Sequence, residues 1–113
     1  MDVVANWPRL ALEEGGLMRE VEVEARLVRA VEKRGGQAYK WASPARRGVP
    51  DRLCILPGGV VVAVECKRPG ATPTPLQARE LDRLAALGIT ARVVDSPAAV
   101  EGLMSLIDEM MRG

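Results

Sequence analysis

The chain has 113 residues, 48% of them apolar, and a formal net charge of +1. That length suits one domain with a real core, and its many apolar runs exclude a disordered tail. The absence of histidine excludes a Ser-His-Asp triad, a histidine-ligated zinc and a histidine general base. Any hydrolytic chemistry must then rest on carboxylates, lysine, a metal ion or an unusual nucleophile.

Residues 1–18 show weak periodicity, contain Trp7-Pro8 and Gly15-Gly16, and read as an arm or short helix. They lack the basic-then-apolar pattern of a signal peptide, so a cytoplasmic protein is expected. From about Arg19 the pattern becomes helical, with Val21, Glu24, Leu27, Val28 and Val31 assigned to one face. Gly35-Gly36 supplies the left-handed stop. Gln37 to Ala42 reads as a short strand in which Tyr39 and Trp41 alternate with Lys40, and at least one of the two aromatics is expected in the core rather than stacked on bases. Ser43 to Pro50, with two prolines, a glycine and adjacent arginines, is a loop.

Asp51 to Leu56 and Val60 to Lys67 read as strands joined by the tight turn Pro57-Gly58-Gly59, which makes them an antiparallel hairpin. The longest apolar run, Val60 to Val64, suits a strand covered on both faces and is far short of the roughly 20 residues of a membrane helix. Cys54 and Cys66 make neither a disulfide framework nor a zinc site; both lie in strands and read as core. After the proline-rich loop Pro69 to Pro75, Thr74-Pro75-Leu76-Gln77 has the form of a helix start. Thr74 is the cap, proline takes the first position and glutamine the third. This helix runs to about Leu87, where Gly88 stops it. Ile89 to Val94 is a fourth strand, and Ser96-Pro97 opens a last helix ending near Met111. Met104, Met110 and Met111 are expected to pack against the sheet or a partner subunit. The order is α-β-β-β-α-β-α, with no internal repeat and no long linker.

The hairpin brings chemistry together. The start of its first strand faces the end of its second, so Asp51 meets Glu65 and Lys67. The latter two share a face because they are two residues apart. Two carboxylates repel at neutral pH, and a hard divalent cation resolves that repulsion while binding phosphate oxygens. Such an ion polarises a scissile phosphate and lowers the pKa of an attacking water. Two neighbouring carboxylates favour the charged form of Lys67, so its expected role is positioning and charge stabilisation rather than that of a base. Standing alone, Asp51, Glu65 and Lys67 also describe a cross-strand salt bridge. The strand–turn–strand frame after Gly48-Val49-Pro50 favours the metal reading, and the charge distribution is compatible with it. Lys40, Arg46, Arg47, Arg52, Lys67 and Arg68 surround the sole acids of residues 37–69, an arrangement suited to a polyanion.

Gly48-Val49-Pro50-Asp51, then Glu65-Cys66-Lys67, then Gln77 resembles the VRR-NUC family of the PD-(D/E)xK nuclease superfamily, over roughly residues 20–96. The resemblance implies an α/β, restriction-endonuclease-like core with a mixed four-stranded sheet flanked by helices, one nuclease domain over 19–113. It also implies a Mg²⁺- or Mn²⁺-dependent endonuclease acting on DNA, often branched or flapped, with stand-alone members dimerising and cleaving four-way junctions. Asp51 and Glu65 would be metal ligands, the backbone carbonyl of Cys66 a third, and Lys67 the catalytic lysine. Gln77 would position the lysine, the water or the DNA backbone, beside its capping role. The acid expected on the first helix is Glu24, with Glu20 as the alternative; Glu24 would then join the metal ligands. Arg46, Arg47, Ser43, Lys40 and Arg68 are the expected nucleic-acid contacts, guanidinium groups being suited to phosphate. The partners expected are DNA and a second copy of the chain, with no membrane and no organic cofactor. Two other readings share these residues: an inactive DNA-binding or assembly subunit, and a nuclease acting on RNA.

Overall fold

The computed structural model describes residues 18–113; the arm expected over 1–18 lies, apart from Met18, outside them. The elements follow the expected order: α1 (Glu20–Lys33), β1 (Gln37–Lys40), β2 (Arg52–Leu56), β3 (Val60–Cys66), α2 (Pro75–Ala86), β4 (Thr90–Val94) and α3 (Pro97–Arg112). The sheet order is β1-β2-β3-β4. β2 pairs antiparallel with both β1 and β3, whereas β3 and β4 run parallel, with α2 as the crossover between them. The boundaries differ from expectation by one or two residues. β1 ends at Lys40 rather than Ala42, yet the Trp41 N–H still donates to the Asp51 carbonyl at 2.9 Å.

Alternation along β3 divides the interior. Val62, Val64 and Cys66 face a core shared with Val23, Leu27 and Val31 of α1 and with Val100, Leu103, Met104 and Ile107 of α3. Ala63 faces the opposite side, where Leu81 of α2 packs with Ala91 and Val93. A strand buried on both faces needs the continuous apolar run that the sequence carries at 60–64. Both cysteines are buried and free, and Met110 and Met111 pack at the edge of the α1–α3 core, as expected.

The buried face of α1 departs from expectation at one position. Val21 is 56% exposed, and Val23 takes its place in the core. At about 100° per residue, Val23 lies roughly 40° from Leu27 around the helix, whereas Val21 lies roughly 120° away. The two valines are alike in chemistry, and only their angle to Leu27 separates them. The C-terminal end of α1 is pinned to α3 by Arg34, whose Nε and Nη2 donate to the two carboxylate oxygens of Asp108 at 2.7 and 3.1 Å. Gly36 lets the chain turn tightly into β1: a Cβ there would lie 2.7 Å from the Ile55 carbonyl oxygen.

The burial pattern sets a contrast between two residues of one helix. Leu27→Ala is expected to lower stability in urea unfolding by about 2–5 kcal/mol through cavity formation. Val21→Ala should stay within about 0.5 kcal/mol of the parent. A comparable loss at both positions would contradict the assigned face.

Candidate active site

The register of the hairpin builds the site. Arg52 pairs with Val64, so the next position outward sets Asp51 opposite Glu65, and Glu65 in turn pairs with Val93 of β4. With the Trp41–Asp51 backbone bond, Trp41, Asp51, Glu65 and Val93 form one row across all four strands. Asp51 and Glu65 stand two residues from Leu53 and Ala63, and so share the sheet face that α2 covers.

The polar contacts tie this row together. The Asp51 Oδ2 accepts from the Cys66 N–H at 2.8 Å, which seats one carboxylate against the Glu65–Cys66 peptide. The Lys67 Nζ lies 3.5 Å from Glu65 Oε2, and the Lys67 N–H donates to the Val94 carbonyl at 2.9 Å, so the lysine continues the strand. Glu65 is 1% exposed, and among the described residues its Oε1 has no hydrogen-bond partner. Burial pushes its carboxyl up to about 8, the neighbouring Asp51 charge pushes the same way, and Lys67 opposes both. A buried carboxylate oxygen without a donor is costly, and a bound cation would remove that cost.

That orphaned oxygen is the test of fit for a metal. Asp51, Glu65 and the Cys66 backbone carbonyl are the groups that could hold one. Among the described residues no three His, Cys, Asp or Glu side chains converge into a preformed cluster. Two carboxylates with water are nonetheless the usual protein share of a magnesium site. Cysteine thiolate takes no part: burial pushes the Cys54 thiol up to about 12 and raises the Cys66 thiol as well, so both remain neutral.

The other expected site residues are distributed unevenly around this row. Glu20, the first residue of α1, is close enough for its charge to raise the Glu65 carboxyl. Glu24 is instead held by Arg52, whose Nε donates to Glu24 Oε2 at 2.7 Å, with Lys40 at 3.6 Å. Arg52 and Lys40 lie on the α1 side of the sheet, so the structure brings Glu24 to a basic pair there. Gln77 completes the capping box of α2: its Oε1 accepts from the Thr74 N–H at 2.9 Å, and its own N–H donates to Thr74 Oγ1 at 3.2 Å. Arg46 donates to the buried Glu80 of α2 at 2.8 Å. Arg47 and Arg68 are exposed, and Ser43 is half-buried in the loop. Trp41 packs on the α2 core, but Tyr39, on the same face one step away, is 54% exposed because α2 lies over β3 and β4 rather than the β1 edge.

Two partnerships emerge only in three dimensions. Arg52 belongs to the positive cluster of residues 37–69, yet it serves Glu24. Glu80 is 7% exposed and anchors Arg46. The spacing of Leu76, Arg79, Glu80 and Arg83 is the helical signal that could have placed Glu80 on a lined face.

This geometry can be set beside known proteins. No family model matches the chain. A relative from Acyrthosiphon pisum secondary endosymbiont phage 1, "Putative nuclease p44", is 58% identical over 80 residues, 71% of this chain and 86% of its own length. A solved structure of a VRR_NUC domain superposes with a TM-score of 0.72 at 36% identity, over 76% of this chain and 94% of that one. The mixed four-stranded sheet flanked by helices is thus a restriction-endonuclease-like fold, and the protein is a nuclease of that class. Within the class, the chain belongs to the VRR-NUC family.

The raised Glu65 carboxyl has a sign that can be measured. Its folded pKa of about 8 exceeds the ordinary 4.5, so the folded metal-free protein binds a proton that the unfolded chain releases. Stability in EDTA should therefore be greatest below about pH 4.5 as far as this group is concerned, and fall as pH rises through about 8. The loss is on the order of a few kcal/mol. Glu65→Gln mimics the protonated form and should remove that slope between pH 5 and 8. Parallel urea-stability curves for parent and variant across that window would refute the assignment.

Proposed function

We propose that this nuclease is metal-dependent, that it uses Mg²⁺ or Mn²⁺, and that it cleaves DNA phosphodiester bonds endonucleolytically in branched substrates such as four-way junctions or flaps. The observation that carries the reading is the buried Oε1 of Glu65, without a hydrogen-bond partner among the described residues, in one row with Asp51 and beside Lys67.

Asp51, Glu65 and the Cys66 carbonyl would hold the ion, and Glu20 or Glu24 would supply further negative charge from α1. When bound, the ion supplies Lewis-acid activation of the scissile phosphate and of the attacking water. Glu65 would serve in that ligand set in its ionised form. Lys67, fixed by its strand bond to Val94, orients the attacking water and stabilises charge that builds on the phosphate. Gln77, anchored at the start of α2, steadies the DNA backbone or the lysine. Arg47, Arg68 and Ser43 contact phosphates at the rim, with Arg46 and Lys40 adding to the local positive field. A symmetric dimer would present two such sites to a substrate with near-two-fold symmetry. Light scattering that gives a monomer at working concentration would sink the dimer.

Cleavage of labelled four-way junctions, flaps and linear duplexes in Mg²⁺ or Mn²⁺ tests the chemistry. Lys67→Ala should lower the rate by about 10²–10³-fold, the range seen when one stabilising donor is removed. Asp51→Asn should abolish cleavage and still fold, because the amide oxygen can accept from the Cys66 N–H in place of Oδ2. Both variants should bind DNA in EDTA as the parent does. Unchanged cleavage in Lys67→Ala would remove this mechanism.

A further inference from the structure

On the sheet face that carries Asp51 and Glu65, a second feature lies beside them. The loop that enters Asp51 runs along α2, and between them is an open groove of about 770 Å³. On the helix side its wall is formed by Leu76, Arg79, Glu80 and Arg83, at positions i, i+3, i+4 and i+7, one continuous stripe of α2. On the loop side it is formed by Arg46 and Arg47.

The groove is held in shape by two contacts. Arg46 Nε donates to Glu80 Oε1 at 2.8 Å, and the Glu80 side chain is only 8% exposed. Gly48, at φ +81, brings the loop so close to the helix that a Cβ would lie 3.0 Å from both the Leu76 carbonyl oxygen and its Cγ. The first pair consumes one guanidinium and one carboxylate. What remains exposed on the wall is Arg47, Arg79 and Arg83 against Asp82, a net positive lining in a chain whose formal charge is +1.

We infer that this groove is a phosphate track, distinct from the carboxylate row, in which Arg47, Arg79 and Arg83 bind the nucleic-acid backbone next to the bond being cleaved. The inference rests on the nuclease reading above. The loop wall leads into Asp51, four residues beyond Arg47, and α2 covers the sheet face that carries Glu65, so a strand seated at Glu65 would continue into the groove. Arg79 and Arg83 are one turn apart, about 6 Å of rise, a length that covers about two phosphates at one per 3.4 Å of a single strand. Guanidinium groups suit this partner through paired donors, and the pairing of Arg46 with Glu80 keeps the loop in place without spending the other three.

The test measures binding of the full chain to a fluorescent duplex and a four-way junction in EDTA, over a series of salt concentrations. Arg79→Ala with Arg83→Ala should weaken binding several-fold at low salt. It should also reduce the slope of log K against log salt by about two, one for each phosphate no longer neutralised. Arg79→Lys with Arg83→Lys should restore most of the slope. Arg29→Ala with Lys33→Ala, which removes the same charge from the exposed surface of α1, should change the slope less. An unchanged slope in the α2 variant overturns the track and leaves the groove to another anion, such as an acidic peptide. An equal fall in the α1 variant also overturns it, because bulk charge would then suffice. The failures are separable: a parent that binds DNA but never cleaves it refutes the nuclease mechanism, whereas a cleaving parent with an unaffected α2 variant refutes the groove alone.

Discussion

The arrangement depends on one costly placement, the carboxyl of Glu65 inside a sheet that has no donor for its Oε1. A buried acid normally survives by pairing or by staying neutral, and Glu65 is pushed toward the neutral form with Lys67 as a partial partner. Asp51 stands directly opposite and makes the ionised form harder still. A protein optimised for stability alone would place an apolar residue there, as it does at Ala63 and Val61 on the same face. The proposed metal role accounts for that cost.

The scaffold makes that position rigid. β3 is central, paired antiparallel on one side and parallel on the other, so Glu65 cannot slip in register without dragging Val62, Val64 and Cys66 out of the α1–α3 core. Asp51 lies just outside β2 and is fixed by both ends: its carbonyl accepts from Trp41 and its carboxylate from Cys66. Lys67, just beyond β3, is fixed by Val94. Three chemical side chains thus hang on backbone bonds of neighbouring strands, which is why so small a domain can hold them within reach of one another.

Much of this was legible in the sequence, for reasons that differ residue by residue. The Asp51–Glu65 pairing followed from a three-residue turn and a period of two, both strictly local rules. The capping box at Thr74 and Gln77 followed from four adjacent residues. The face of α1 was harder, because Val21 and Val23 are equally apolar and the choice needed the angle to Leu27. The partners of Glu24 and Glu80 were out of reach: each pairs with an arginine about 30 positions away, and local patterning cannot say which of several arginines arrives. Which of Tyr39 and Trp41 would be covered was out of reach for a related reason. Their strand face is apolar, but coverage of that face is set by where α2 lands, over β3 and β4.

These pairings change how the net charge should be read. A chain at +1 carries too little excess charge to suggest a polyanion, and a count by segment improves on that only slightly. The structure sorts the same arginines by what they do. Arg34, Arg46 and Arg52 are bound to Asp108, Glu80 and Glu24 and serve the fold. Arg47, Arg79 and Arg83 stand exposed on the two walls of the groove between the loop and α2. Exposed acids such as Glu20, Glu22, Glu32, Glu101 and Glu109 lie on α1 and α3 and not in the groove lining, so they do little to cancel the field there. Electrostatic attraction decays within about 8–10 Å in physiological salt, and a phosphate near the site senses that local lining rather than the sum over the chain. Near-neutral composition and a basic groove are compatible because exposed acids of α1 and α3 balance the total while the groove arginines lie on α2 and its facing loop.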